Sequence, residues 1–371
     1  MTDPARRLEP VVRVAPAKLN LTLAVLGTRP DGYHDLHSVM VPVDVSDRLS
    51  VAVLPPGSAD TLHVTGHDPG PVADNLVLRA IVAARRAAGP EWGSPEPPPA
   101  LAARLEKRIP IAAGLAGGSS DAAAAADAAL EAWGVTLPAE ARHRLAAELG
   151  SDVPFFLSGG PALVEGRGER LSPLPWLRDA DPAHDRPGLL LVTPSCGIST
   201  PAAFRAWDAG ARAPGGAARL ASAHLAEELR RGHLKVSDLL ARASVLASAN
   251  DLAPAAMVVE PGLVPFKRAL LRLLGRPVGV SGSGPTHWAL YPSHAEAAAA
   301  AEAVRAAIAA GDLPAPGPRE PFVAATRILS TPGAAAGGDG ALARATAQTI
   351  AQGTAPAIVQ LTPPDQSRRE P

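Results

Sequence analysis

Residues 11–27, VVRVAPAKLNLTLAVLG, alternate apolar and polar positions with a period near two, which predicts a strand pair or one long strand ending at Gly27. The next stretch, TRPDGYHDLHSV, holds a Pro-Asp-Gly turn and reads as a loop. Alternation returns in MVPVDVSDRLSVAVLP and DTLHVTG, so the first 66 residues form a β-rich layer. The period then lengthens, and NLVLRAIVAARRAAG carries apolar residues at helical spacing with a glycine stop. SPEPPPA, within a proline-rich stretch near 89–100, is a surface connection into a short strand, LAARLEKRIP. A glycine-rich turn runs directly into an alanine-rich helix in AAGLAGGSSDAAAAADAALEAWG. PAEARHRLAAELGSDVPFFLSGG reads as a helix ending near Gly150 and then a loop, and PALVEGRGERLSPLP as a hairpin.

From about residue 187 the pattern restarts. GLLLVTPS is a strand, TPAAFRAWDAG a helix, and residues 216–250 are helical with mixed charge. PGLVPFKRALLRLLG is an amphipathic helix, PVGVSGSGPTHWALYPS a strand–turn–strand, and HAEAAAAAEAVRAAIAAG a helix. This layout predicts an α+β protein with a leader over 1–12, an N-terminal domain over 13–178 and a second domain over 187–330. The stretch 331–371 is small, polar and rich in Pro and Gly at both ends, and reads as a mobile tail.

Composition narrows the classes. With 371 residues, 47% of them apolar, the chain can bury the core of one large domain or the cores of two ordinary ones. Its formal net charge of −1 argues against holding nucleic acid or an anionic membrane by bulk charge. The single cysteine, Cys196, excludes an internal disulfide and any multi-cysteine metal site, and fits a reducing cytosol. No signal-like apolar stretch opens the sequence, and no uncharged apolar run approaches the ~18 residues of a membrane span, so a soluble, cytoplasmic protein is expected. Only four of the 35 basic residues are lysines (Lys18, Lys107, Lys235 and Lys267). Where arginine serves as the generic cation, a retained lysine points to chemistry of its own.

Candidate chemistry gathers at three places. The run from Pro110 to Asp121, PIAAGLAGGSSD, sets three glycines before a helix, with Ser119, Ser120 or Asp121 able to cap it. Exposed N–H groups and the dipole at a helix N-terminus suit an anion such as phosphate. The run lacks the Gly-Lys-Ser/Thr of a Walker loop and the spacing of a dinucleotide fingerprint, and a plain turn before a helix is the competing reading. Lys18 sits in an apolar strand with Asn20 on the same face two residues on; a strand lysine ordinarily points to solvent. Asp152 follows a helix end and precedes Pro154, where a turn or cap role is the ordinary one. His63 and His67 lie four apart in a strand-like segment, where that spacing does not make a ligand pair, and Cys196 has no basic partner nearby in sequence.

Taken in order, APAKLNLTLAVLGTRPDGYHDLHSVM, PIAAGLAGGSSDAA, LGSDVPFFLSGGPALVEGRGE and VSGSGPTHWALY resemble the signature segments of the GHMP small-molecule kinases, over about residues 13–330. The first and third are most similar to the branch that phosphorylates a cytidine-diphosphate-linked methylerythritol. The resemblance implies a ribosomal-S5-like N-terminal domain, a ferredoxin-like C-terminal domain and a site in the cleft between them. It implies a phosphate loop of Pro110, Ile111, Ala112, Ala113, Gly114, Leu115, Ala116, Gly117, Gly118, Ser119 and Ser120, with Asn75 and Lys107 near the adenine. It assigns Asp152 as the base for the substrate hydroxyl, Lys18 as its partner, and Asn20, Tyr33, His34, Thr200 and Phe204 to the substrate and its cytosine. His34 is the candidate edge reader, through its backbone or its imidazole. The segment 279–284 is implied to be a glycine loop closing over substrate. ATP with Mg2+ is the implied cofactor; Ser119 or Ser120 could touch the metal, whose ligands stay unassigned. Partners are then small molecules, without nucleic acid or membrane, on a monomer or weak homodimer. A homoserine- or mevalonate-type kinase is the alternative within the family, and a non-catalytic nucleotide-binding module the alternative outside it. RPDGYH speaks against the first and the Lys18/Asp152 pair against the second.

Overall fold

A 20-residue strand organises the first half of the molecule. In the computed structural model, which describes residues 9–68, 70–175, 187–210, 216–232 and 234–329, β3 (His34–Val53) is flanked on both sides. One side takes β1 (Val11–Asn20) along Met40–Val51 and β2 (Ala24–Thr28) along His34–His37. The other takes β5 (Leu101–Lys107) along Arg48–Val53 and β6 (Ala162–Gly166) along Leu36–Met40. β4 (Thr61–Gly66) joins β5 in parallel, and β7 (Arg170–Pro173) closes the sheet on β6. The β1–β3 register slips between Pro16 and Ala17, beside a residue with no N–H to give the ladder.

Helices α1 (Leu76–Trp92) and α2 (Gly117–Trp133) cover this sheet, and α3 (Ala139–Leu149) packs beside them. Alanine makes the close approach possible: Ala122, Ala125, Ala128 and Ala129 of α2 are fully buried in one cluster with Leu49, Val51, Ile81 and Leu105. In a chain so poor in aromatics, the core gains by close backbone approach what it lacks in side-chain bulk. Three local readings need correction. The expected loop at TRPDGYHDLHSV ends at Tyr33; from His34 onward the chain is strand, because β2 and β6 pair with it. The glycine stop at 89 is overrun, and α1 continues to Trp92 and ends on left-handed Gly93. Residues 153–158, read as loop, form a short helix, α4 (Val153–Ser158), started by Pro154 in its first turn.

The second sheet has the order β11–β8–β10–β9, all antiparallel, built from β8 (Gly188–Thr193), β9 (Gly279–Val280), β10 (His287–Tyr291) and β11 (Phe322–Arg327). Between β8 and β9 run α5 (Thr200–Asp208), α6 (Ala217–Arg231), α7 (Val236–Ala241), α8 (Ala243–Ser248), α9 (Ala253–Val259) and α10 (Leu263–Leu274). With α11 (His294–Ala309) between β10 and β11, the strand order is that of a ferredoxin-like βαββαβ unit, as expected. β11 and α9 escaped the sequence reading, since β11 is a half-buried edge strand with no clean alternation. Phe266 and Leu270 of α10 and Val304 of α11 fill the core behind this sheet. The expected tail over 331–371 lies outside the described residues.

Candidate active site

The two sheets pack through an apolar cluster of Val39, Val41, Leu191 and Leu290. At its edge the link between β1 and β2 is hydrogen-bonded to the link between α8 and α9, a polar seam. Leu23 and Asn250 form a parallel bridge, with the Leu23 N–H donating to Ala249 O at 2.7 Å and the Asp251 N–H to Leu23 O at 2.8 Å. The Val25 N–H donates to the Asp251 carboxylate at 3.0 Å. Beside this seam opens a cleft of about 440 Å³, a size suited to a small-molecule ligand.

The glycine-rich loop forms one wall. Pro110, Ile111, Ala112, Ala113, Gly114, Ala116, Gly117, Gly118 and Ser119 all line the cleft. Leu115 and Ser120, though in the same run, do not; both are 1% exposed, and Leu115 packs into the apolar core. No side chain caps α2: its N-cap is Ala116, itself left-handed at φ 53°, as is Ala112 at φ 52°. Two alanines in that region each cost of order 1–2 kcal/mol, strain held in the phosphate-loop candidate. The C-terminal half holds the loop in place. Thr286 Oγ1 donates to Ala113 O at 2.7 Å, Ser281 Oγ to Gly114 O at 3.0 Å, and the Ile198 N–H to Ala112 O at 3.2 Å. Gly114, at φ +76°, has no room for a side chain, since a Cβ there would lie 2.3 Å from Ser281 O.

Lys18 projects from β1 into the cleft floor and is 4% exposed. Its Nζ donates to Asn20 Oδ1 at 2.7 Å and to Gly114 O at 2.9 Å. Asn20 in turn donates to Ser38 Oγ at 2.8 Å, and Ser38 to Thr22 O. The same-face placement of Lys18 and Asn20 is thus as expected, and the lysine is buried rather than solvated. Burial pushes the Lys18 ammonium below its ordinary value, and the nearby Asp152 carboxylate works against that shift. Asp152 lines the same cleft from the N-cap of α4, but its side chain makes no capping bond. The carboxylate is therefore not committed to the helix it precedes.

Lys107, read from the resemblance as an adenine neighbour, is committed elsewhere. It lines the cleft, but its Nζ donates to Asp121 Oδ2 at 2.8 Å and to Asp47, the three side chains being fully buried. Asp47 also accepts from the Ile109 N–H at 2.8 Å, so the triad ties β3, β5 and the loop to α2. Burial, against the pull of Lys107, pushes the Asp121 carboxyl up to about 8. Asn75 lines the cleft and caps α1, accepting from the Val77 N–H at 2.9 Å.

At the far end of the cleft lie Thr200 and Phe204 of α5 with Leu23, Leu36 and Leu252. Thr200 Oγ1 is 3.1 Å from Ser283 Oγ on the second glycine loop. Two residues expected here are not part of the lining. Tyr33 is half exposed with the Arg167 guanidinium 5.2 Å from its ring centre, and the His34 imidazole stacks behind Phe204. Sequence reasoning missed Asn250, whose Nδ2 donates to Val280 O at 2.8 Å and Gly282 O at 2.9 Å and so shapes the second glycine loop. No motif surrounds it; only its side-chain partners mark it. Cys196 does not line the cleft, and its thiol is pushed up to about 11 by burial and by Glu260.

Family descriptions match both halves: GHMP kinases N terminal domain over residues 75–160 and GHMP kinases C terminal over 225–310. A relative from Pelotomaculum thermopropionicum, named 4-diphosphocytidyl-2-C-methyl-D-erythritol kinase, is 38% identical over 283 residues, covering 76% of this chain and 88% of its own. The chain belongs to the GHMP kinases. A relative of the same name from Deinococcus radiodurans is 40% identical over 78% of this chain and 87% of its own. Among solved structures, a 4-(cytidine 5'-diphospho)-2C-methyl-D-erythritol kinase is similar at 31% identity with a TM-score of 0.59, covering 85% of this chain and 99% of that one. A homoserine kinase from Cytophaga hutchinsonii, at 18% identity and a TM-score of 0.58 over 87% of this chain and 96% of its own, shares the fold. As a kinase, the protein takes its phosphoryl group from ATP and passes it to a small molecule. Among the described residues no helix is long and apolar enough to cross a membrane.

Proposed function

We propose that this kinase transfers the γ-phosphoryl group of ATP to the 2-hydroxyl of 4-diphosphocytidyl-2-C-methyl-D-erythritol, a step in isoprenoid precursor synthesis. The observation that carries the reading is one cleft with three parts: a strained glycine loop at a helix N-terminus, Lys18 with Asp152 beside it, and an aromatic end at Phe204. The choice of substrate within the family follows the relatives at 38–40% identity, which carry that name.

In this reading the N–H groups at the start of α2 bind the ATP phosphates, favoured by the helix dipole. Asp152, free of any capping bond, accepts the proton of the substrate hydroxyl as the oxygen attacks. Phosphoryl transfer depends mostly on positioning and charge neutralisation, so a carboxylate suffices as base. The buried Lys18 ammonium keeps Asp152 ionised and, through Gly114 O, registers the loop against it. Of the oxygen-bearing residues that line the cleft, Ser119 and Asp152 would hold Mg2+, which takes few protein oxygens and fills the rest of its shell from phosphate and water. Ser120, buried away from the cleft, would not. When bound, the metal neutralises charge on the β- and γ-phosphates. Asn20, Thr200 and Phe204 hold the acceptor, and the His34 imidazole contributes from behind Phe204 rather than at the base edge.

Incubation with ATP and the cytidine substrate, read by mass spectrometry, tests the proposal. A product one phosphoryl group heavier is expected. Turnover of homoserine or mevalonate in its place would overturn the substrate assignment.

A further inference from the structure

Asp208 closes α5 and lies outside every motif read from the sequence. Its Oδ1 is 2.9 Å from His34 Nε2 on β3 and accepts from Thr28 Oγ1 of β2 at 3.3 Å. A carboxylate only accepts, so His34 Nε2 carries the proton in this contact. The imidazole held in this way lies nearly parallel to the Phe204 ring, centroids 4.5 Å apart and planes 20° apart. Trp207 meets the same imidazole edge-on, at 5.4 Å and 88°. Phe204 and Asp208 stand four residues apart on α5, on one side of the helix, so a single ring of β3 is gripped by both.

Phe204 lines the cleft, whereas His34 does not. One face of the phenyl ring is thus covered by the imidazole, and what remains is the surface it offers to a ligand. We infer that Asp208 is a positioning residue. Acting through His34, it fixes Phe204 as a one-faced platform for the nucleobase of the substrate. The inference rests on the cytidine reading of the previous section and adds the device that orients the base. Without the carboxylate, His34 keeps its packing against Trp207 but loses the bond that sets its ring plane. Phe204, half-buried on a nine-residue helix, then samples more rotamers before it can stack.

The Asp208 side chain is 43% exposed, so its replacement leaves no buried hole. Asp208→Ala should raise KM for the cytidine substrate about three- to tenfold, the range of one aromatic contact. Its kcat and its KM for ATP should stay within about twofold, the split expected of a uniform binding loss. Asp208→Asn keeps an acceptor for His34 Nε2 and should restore a near-normal KM. In a His34→Ala background, Asp208→Ala should add nothing further, because its effect passes through the imidazole. An unmoved KM in Asp208→Ala would overturn the inference, as would equal losses for both substrates or an effect that adds fully to His34→Ala. If the wild-type protein fails to phosphorylate the cytidine substrate, the functional reading fails and this inference with it. An active wild type with an unmoved Asp208→Ala overturns this inference alone.

Discussion

A lysine without a carboxylate in contact is costly to bury, and Lys18 is nonetheless 4% exposed, with its Nζ on Asn20 Oδ1 and Gly114 O. The Asp152 carboxylate, on the same cleft, opposes the desolvation of Lys18 by its charge, while the hydrogen bonds of Lys18 Nζ go to Asn20 and Gly114 O. Those two facts separate the roles of the pair. Asp152→Asn keeps shape and removes the base, so kcat should fall about 10²-fold or more while ATP affinity, measured by calorimetry, stays near normal. Lys18→Ala should lower kcat comparably and also weaken ATP binding, because it leaves Ser281 Oγ as the remaining side-chain donor to Gly114 O on the phosphate-loop candidate. Normal ATP affinity in Lys18→Ala would remove the loop-registering role. The sequence pointed to both residues, Lys18 through the scarcity of lysine and Asp152 through its motif. It could not tell which loop residues face the cleft: Leu115 and Ser120 sit among lining neighbours, and only the turn geometry sends them inward. Asn250 was invisible for a related reason, since its partners are carbonyls 30 and 32 residues away.

Periodicity revealed the elements well where one face is buried and poorly where pairing decides. The alanine helix α2 and the strand β5, with its strict alternation of burial, could be read directly. His34–Val39 looked like loop because its polar residues are satisfied by partners far along the chain, such as Ser222 Oγ for His37 at 2.8 Å. The start of α2 is where element and site meet. Gly117 has an ordinary φ, and its constraint is space: a Cβ there would lie 2.9 Å from both Ile109 Cγ2 and Lys107 Nζ. Gly117→Val should therefore lower Tm as well as ATP affinity, by pushing on the buried triad. Gly118→Ala, whose Cβ would meet only Leu76 at 3.6 Å, should keep Tm within about 2 °C. If Gly117→Val melts like wild type, the clash is relieved elsewhere and the triad is not rigid. The triad also predicts a pH dependence. Asp121 binds its proton more tightly in the folded state, near 8, than at its ordinary 3.8, so between those values the folded protein holds a proton the unfolded chain has released. Stability from this group is full below about 4 and declines as pH rises through 8. Asp121→Asn, a mimic of the protonated form, should flatten the fall in Tm between pH 5 and 9; an equally steep fall in that variant would place the titration elsewhere.

On the scale of the whole molecule, the cleft exists because two glycine loops from different sheets touch. The ferredoxin-like strand order of the second sheet brings residues 281–286 back between β9 and β10, against Ala113 and Gly114 of the first half. The order of the two patterned halves and the two loops could be read along the chain, but their contact could not, because it is made largely by backbone carbonyls. Asn250 fastens this junction, donating to Val280 O and Gly282 O while its own Oδ1 accepts from the Leu252 N–H at 2.9 Å. Replacing it by alanine leaves two buried carbonyls without a donor, at about 1–3 kcal/mol each before water or relaxation repairs them. The second loop then loses its registration to the seam, although no residue on the reaction path has changed. Asn250→Ala should lower Tm and reduce kcat/KM for both substrates together, since the loop it shapes meets Gly114 on one side and Thr200 on the other. Asn250→Asp places a carboxylate opposite two carbonyl oxygens and should be worse than alanine at neutral pH, recovering toward it as acid returns a donor proton. Parallel steady-state kinetics and melting curves for the two variants decide the matter. A loss confined to one substrate would mean that the loops act separately and that the junction does not couple them.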